Sequence, residues 1–214
     1  MRRSVFLLTA ILTLTASAAD KGTVLRSVVL PGWGQMHAGH TTRGTVFMGL
    51  EAGIWTGVGI SYLQGIFSRD DYRNLAMEEA GIDVSSRDND FQDDVGNFSS
   101  SEEYNDYIRS LARYYYPDDP EAQQEYFDSN ARYGADGWSW TGGGARENYS
   151  DALRDSREWF RRTTYVAAFA LVNRAVSAID ASLLDPSEPG IYTDLAFPES
   201  ADFSSVRFTI GARF

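Results

Sequence analysis

The run from Thr45 to Phe67, TVFMGLEAGIWTGVGISYLQGIF, carries one acid, Glu51, in 23 otherwise uncharged residues. Helical throughout, it is long enough to cross a bilayer. A charge inside such a span is costly and persists where it faces a partner or a cavity. Working outward, the run is preceded by Leu30-Pro31-Gly32-Trp33-Gly34-Gln35, then Gly39 and Arg43-Gly44. Pro31 fixes its own backbone and pushes Leu30 extended, and Gly32 and Gly34 permit positive φ, so this stretch reads as a turn or re-entrant bend. Trp33 suits a membrane interface. Gly49, Gly53 and Gly57 recur every four residues, which predicts a face where another helix approaches closely. Glu51 lies nearly opposite, grouped with Gly44, Trp55, Val58 and Tyr62.

A second apolar run spans Thr163 to Leu184, and its polar exceptions line up. Asn173, Ser177 and Asp180 share a helical face with Val166 and Ala170, with Leu171, Val172, Val176, Ile179 and Leu183 elsewhere. Arg174 lies beside that stripe, within reach of a neighbour's acid. The pattern predicts an antiparallel pair with the first run, greasy toward lipid and polar toward its partner, in which Glu51 meets Arg174, Asn173 or main-chain donors of the glycine turn.

Between the runs, residues 68–162 are acidic and aromatic. The spacing predicts amphipathic helices over 70–80, 102–116, 120–132 and 145–162. Pro120 after Asp118-Asp119 is a good helix start, and Ser99–Glu102 and Ser100–Glu103 both fit the Ser-x-x-Glu capping pattern. Tyr104, Tyr107, Leu111 and Tyr115 are expected on an inward face. The stretch holding Asp88, Asp90, Asp93 and Asp94 lacks calcium-loop spacing and reads as a solvated acidic loop.

At the start, Met1-Arg2-Arg3, an apolar run from Ser4 to Thr15 and Ala16-Ser17-Ala18 form the pattern of a secretory signal peptide over residues 1–19. At the end, residues 203–214 alternate apolar and polar, predicting a short β-strand, with 191–197 as a possible hairpin partner. The expected organisation is therefore mainly α: a signal peptide over 1–19, the turn motif and first apolar helix over 20–67, an acidic helical insertion over 68–162, a second apolar helix over 163–184, and a tail over 185–214. Arginines at 69, 73, 154, 157, 161 and 162 flank the apolar runs on the insertion side. The positive-inside rule then puts the insertion in the cytoplasm and both ends outside, as a cleaved signal peptide also requires.

The chain has no cysteine, which excludes disulfides, thiolate metal sites and cysteine nucleophiles. A net charge of -11 and a pI near 4.6 argue against nucleic acid as partner. His37 and His40 are the only histidines and have no acidic ligands beside them, so no metal site is assigned. Thr141 to Gly144 lacks the strand and lysine of a phosphate loop. No serine has a catalytic context, so no catalytic residue and no cofactor are nominated. The residues that stand out are Pro31, Gly32, Gly34, Gln35, Gly39, Gly44, Glu51, Asn173, Arg174, Ser177 and Asp180.

These residues carry a resemblance. The Leu30–Gln35 motif, Gly39, Arg43-Gly44 and Glu51, with the Arg-rich lead into a helix ending Ser177-Ala178-Ile179-Asp180-Ala181, resemble a bacterial family of unknown function. Its members have a signal peptide, an LPGxGQ motif, two hydrophobic helices and a short strand-like C-terminus. More loosely, the first segment is similar to small two-helix membrane domains that open with a Gly-rich turn. His37 departs from the family's usual aromatic, and the acidic insertion has no counterpart there. The resemblance implies a membrane-associated architecture and supplies no chemistry. The reading that follows is a membrane scaffold or interaction protein in the bacterial envelope, inner membrane favoured, with lipid and another envelope protein or a second copy as partners. The alternatives are an exported helical domain binding a lipid or small apolar ligand, and a transporter or channel subunit.

Overall fold

The computed structural model describes residues 21–184, 190–196 and 207–213, with side chains over 21–184. The expected signal peptide lies outside the described residues. The protein is mainly helical. In chain order come α1 (Lys21–Val29), α2 (Trp33–His37), α3 (Thr41–Glu79), α4 (Asn89–Asn97), α5 (Ser101–Tyr115), α6 (Pro120–Asn130), a 3-10 turn (Gly134–Asp136) and α7 (Gly143–Ser182). Two strands, β1 (Gly190–Ala196) and β2 (Arg207–Arg213), pair antiparallel from Gly190 opposite Arg213 to Ala196 opposite Arg207.

Both apolar runs continue without a break into the flanking amphipathic segments. No residue at the expected junction near Ser68 stops α3, and Arg162 is interior to α7, because neither place carries proline or a left-handed glycine. The described residues form two compact units, one of those up to 59 and from 163 onward, the other of residues 60–162.

The 60–162 unit is built on aromatic burial. Tyr72, Val84, Phe91, Val95, Tyr104, Ile108, Trp138, Trp140, Tyr149 and Leu153 form one core. The polar atoms of its buried aromatic rings are answered: Trp140 Nε1 donates to Val95 O (2.7 Å), Trp138 Nε1 to Phe98 O (3.2 Å) and Tyr149 OH to Gln92 O (2.9 Å). Burial beside Tyr72 pushes the Tyr149 phenol well above its ordinary value. Asn105 clamps the loop after α6, donating to Arg132 O (3.0 Å) and accepting from Arg132 N (2.8 Å).

Two expectations are corrected here. The acidic stretch at 88–97 is a helix, not a solvated loop. Asp88 caps α4 by accepting from Phe91 N (2.8 Å), and Phe91, Gln92 and Val95 turn inward. The carboxylates of Asp93 and Asp94 are answered by Arg157 (2.6 Å) and Arg132 (3.5 Å). In α5, only Tyr104 of the three tyrosines assigned inward is buried, with Leu111 half-buried. The buried stripe is Tyr104, Asn105, Ile108 and Ala112, which leaves Tyr107 over 100° to one side. Tyr115 lies on the stripe but is the last residue of the helix, past the end of the core.

Candidate functional site

In the unit formed by 21–59 and 163–184, the structure brings the singled-out residues into two polar clusters. The first is the turn between α1 and α2. Gly32 has φ +92, and a Cβ there would fall 2.2 Å from Gly44 O, so both backbone conformation and contact require glycine. Gly44 meets the same contact from the other side, 2.7 Å from Gly32 O. Gly34 is pressed against Thr23 O and Ser27 Oγ at 2.1 and 2.2 Å from its Cβ position. Pro31 is fully buried beside them, and Gly39 takes φ +94 just after α2.

That close packing delivers Gln35 to α7. Gln35 Nε2 donates to Ser177 O (2.8 Å) and Asp180 Oδ2 (3.0 Å), and its Oε1 accepts from Ser27 Oγ (2.9 Å) and Ser177 Oγ (3.3 Å). The amide thereby uses two donors and two lone pairs, its whole capacity. Ser177 Oγ in turn accepts from Gly32 N (2.9 Å), and Asp180 also faces Arg43 at 3.4 Å. Gln35 and Ser177 are fully buried, a fully answered network in a water-poor setting.

The second cluster surrounds Glu51, which is 5% exposed. Its carboxylate pairs with Arg174 at 2.7 Å and accepts from Asn173 Nδ2 and Trp55 Nε1, each at 2.9 Å. Asn173 also donates to Phe47 O (3.2 Å). The turn's main chain does not reach Glu51; Gly32 N serves Ser177 instead. The glycine face is likewise corrected. Gly49 and Gly53 have nothing within 4 Å of their Cβ positions, and only Gly57 meets a neighbour, Val166 at 3.3 Å. Close backbone approach occurs at Gly32, Gly34 and Gly44, where the chain folds back on itself.

Sequence reasoning did not nominate Ser27 or Trp55 as site residues. Trp55 carried a signal, four residues beyond Glu51 on one helical face. Ser27 carried none, as a lone serine in a nine-residue helix. Among the described residues no three His, Cys, Asp or Glu side chains are grouped to hold a metal. With each polar side chain of both clusters engaged by another, what the arrangement supplies is cohesion and charge burial.

The 60–162 unit carries a separate shallow groove of about 430 Å³, lined by residues including Asp93, Leu153, Arg154, Arg157 and Arg161. Its charges are largely spent internally, Arg157 on Asp93 and Arg154 on Asp151 (2.8 Å). Comparison with family models, curated proteins and solved structures gives no match to the chain.

Among the described residues one helix, α3, is long and apolar enough to cross a membrane by length and composition. The apolar run of α7 carries Arg174 and Asp180, both answered by partners named above.

Proposed function

We propose that this protein is a non-enzymatic integral membrane protein of the bacterial cell envelope, favouring the inner membrane, and serves as a scaffold or interaction subunit. In this reading α3 and the apolar part of α7 cross the bilayer as an antiparallel hairpin, with residues 68–162 as the partner-facing insertion on the cytoplasmic side and both ends outside. The LPGxGQ resemblance supports the same architecture, in which the C-terminal strand region follows the second span.

The observation that carries it is the inverted burial of α3. The apolar window of this helix is only 11% buried, while its one acid in that stretch is inside. A helix serving as the core of a water-soluble protein buries its apolar surface, and large contiguous exposed apolar surface marks a membrane or protein contact. Leu171, Val172, Val176 and Ile179 of α7, and Leu183 just after it, are exposed in the same way. Arg174 and Asp180 do not oppose a second span, because each is paired from the facing segment.

Alkaline carbonate extraction of membranes tests this. The protein is expected to stay in the membrane pellet. Release into the supernatant would overturn the integral reading in favour of a peripheral or soluble helical domain.

A further inference from the structure

The aromatic residues of the 60–162 unit divide by the company they keep. Phe127 lies under the Arg109 guanidinium at 4.4 Å, Phe91 under Arg87 and Arg132 at 5.0 and 5.1 Å, and Tyr104 near Arg132 at 5.8 Å. A second set, at the end of α5 and across on α6, is Tyr114, Tyr115, Tyr116 and Tyr126. Its rings touch in sequence, Tyr114 to Tyr115 at 5.4 Å, Tyr115 to Tyr126 at 5.8 Å and Tyr116 to Tyr126 at 6.1 Å. No cation lies over these four among the described residues. Tyr114, Tyr115 and Tyr116 are open to solvent, at 78%, 55% and 40% exposed, and Tyr126 is half-buried beneath them against the core.

The segment that runs on from them is acidic, although Arg113 precedes Tyr114 and Arg109 lies over Phe127. From Tyr114 to Ala131 the chain has Asp118, Asp119, Glu121, Glu125 and Asp128 and no Lys or Arg. Asp119 caps α6 through Ala122 N (3.0 Å) and Asp128 accepts from Gln124 (2.8 Å), but no basic side chain pairs with any of the five among the described residues. Exposed tyrosines are rigid, amphipathic contact groups enriched where proteins bind one another. Ring faces attract cations, guanidinium most readily, and the acidic rim raises the local concentration of a cationic partner.

We propose that the Tyr114–Tyr116 and Tyr126 surface is a docking site for an arginine-bearing, cationic segment of a protein partner, whose guanidinium groups lie on the rings while the carboxylates of Asp118, Asp119, Glu121 and Glu125 hold the remaining charge. The proposal names the partner chemistry for the interaction role above and rests on that reading only for the existence of a partner. The surface lies within residues 114–126, outside both apolar runs, so carbonate release of the protein leaves this site standing.

The full chain, purified in a non-ionic detergent, is titrated at 150 mM salt with a fluorescein-labelled Arg-Gly repeat peptide, a matched Lys-Gly peptide and a chito-oligosaccharide. The arginine peptide is expected to bind more tightly than the lysine peptide. Tyr114→Ala with Tyr115→Ala should weaken it about tenfold, at two- to fivefold per exposed ring contact. Tyr114→Phe with Tyr115→Phe, which keeps both rings, should bind within about twofold of wild type. Unchanged helical circular dichroism is required of both variants. Absence of binding, equal binding of both peptides, an alanine variant as tight as wild type, or a phenylalanine variant as weak as the alanine one would each overturn the proposal. Binding of the oligosaccharide in place of the peptide would do the same and assign the rings to a glycan.

Discussion

The two compact units solve opposite problems. In residues 60–162, Phe91, Trp138, Trp140 and Tyr149 are inside, and no acid or arginine is buried. In the unit holding Glu51, the inside consists of Ser27, Gln35, Glu51, Asn173 and Ser177, while Val46, Leu50, Val176 and Leu183 face out. A water-surrounded core gains stability from the apolar area it removes from water. Where the surroundings are themselves apolar that gain vanishes, and packing with fully answered hydrogen bonds must hold segments together. The difference shows that composition alone ranks these units wrongly: the more acidic stretch has the conventional core.

The comparison breaks most visibly at its two centres. Trp140→Ala should destabilise the 60–162 unit by about 4 kcal/mol through cavity formation and loss of its bond to Val95 O. Loss of near-ultraviolet circular dichroism on heating measures it. Glu51→Leu should cost about 3 kcal/mol, since it leaves the half-buried Arg174 guanidinium and the buried Asn173 amide without their acceptor. Glu51→Gln, which retains an acceptor, should be milder in folded-protein yield. A leucine variant yielding more than the glutamine variant would mean the polar interior is not what binds that unit.

Glycines sharpen the contrast within one unit. Gly32→Ala puts a Cβ against Gly44 O at a left-handed φ and should cost about 2 kcal/mol or more. Gly53→Ala has open space and should be neutral or stabilise by up to about 1 kcal/mol through helix propensity. Thermal unfolding of the two variants in detergent checks the pair. An equal cost at Gly53 would reveal that its face is covered in the assembled protein.

How much of this was legible depends on where the decisive partner sits. The cap of α5 could be read locally, because Ser100 and Glu103 are three residues apart and the bond to Glu103 N (3.2 Å) is within one turn. Glu51 and Arg174 could each be suspected, since a charge in an apolar run demands an answer. The Gln35–Ser177 link was not legible as a pair: hydroxyls and amides accept many partners, and 142 residues separate them. Phe91 and Val95 were hidden among aspartates whose charges are neutralised by distant arginines at 132 and 157. The outward Tyr107 and Tyr115 were misplaced because a periodic stripe gives a direction but not the edge or the end of the core it faces.

The smallest effect concerns that local cap. Ser99 donors to the Glu103 carboxylate, including Ser99 N at 2.7 Å, hold its pKa below the ordinary value. A carboxyl depressed on folding adds stability above its unfolded pKa and loses it as the pH falls through the folded one. Glu103→Gln should therefore cost about 0.5 kcal/mol at pH 7, as an exposed charge at a helix start. The gap to wild type should close on acidification below the carboxyl range, measured by thermal unfolding across pH. A gap that persists at pH 2 would assign the effect to shape and not to charge.

Asn173 and its acceptor on Glu51 are 122 residues apart, and that interval has a meaning in time. At about 5–20 residues per second, Glu51 is added to the chain roughly 6 to 25 seconds before Asn173 and Arg174 exist. The whole of 60–162 is made in that interval and is contiguous, so its core can close while the carboxylate still waits. A chaperone or insertion factor that shields one acid on a nascent helix would act in that window and have no role afterwards.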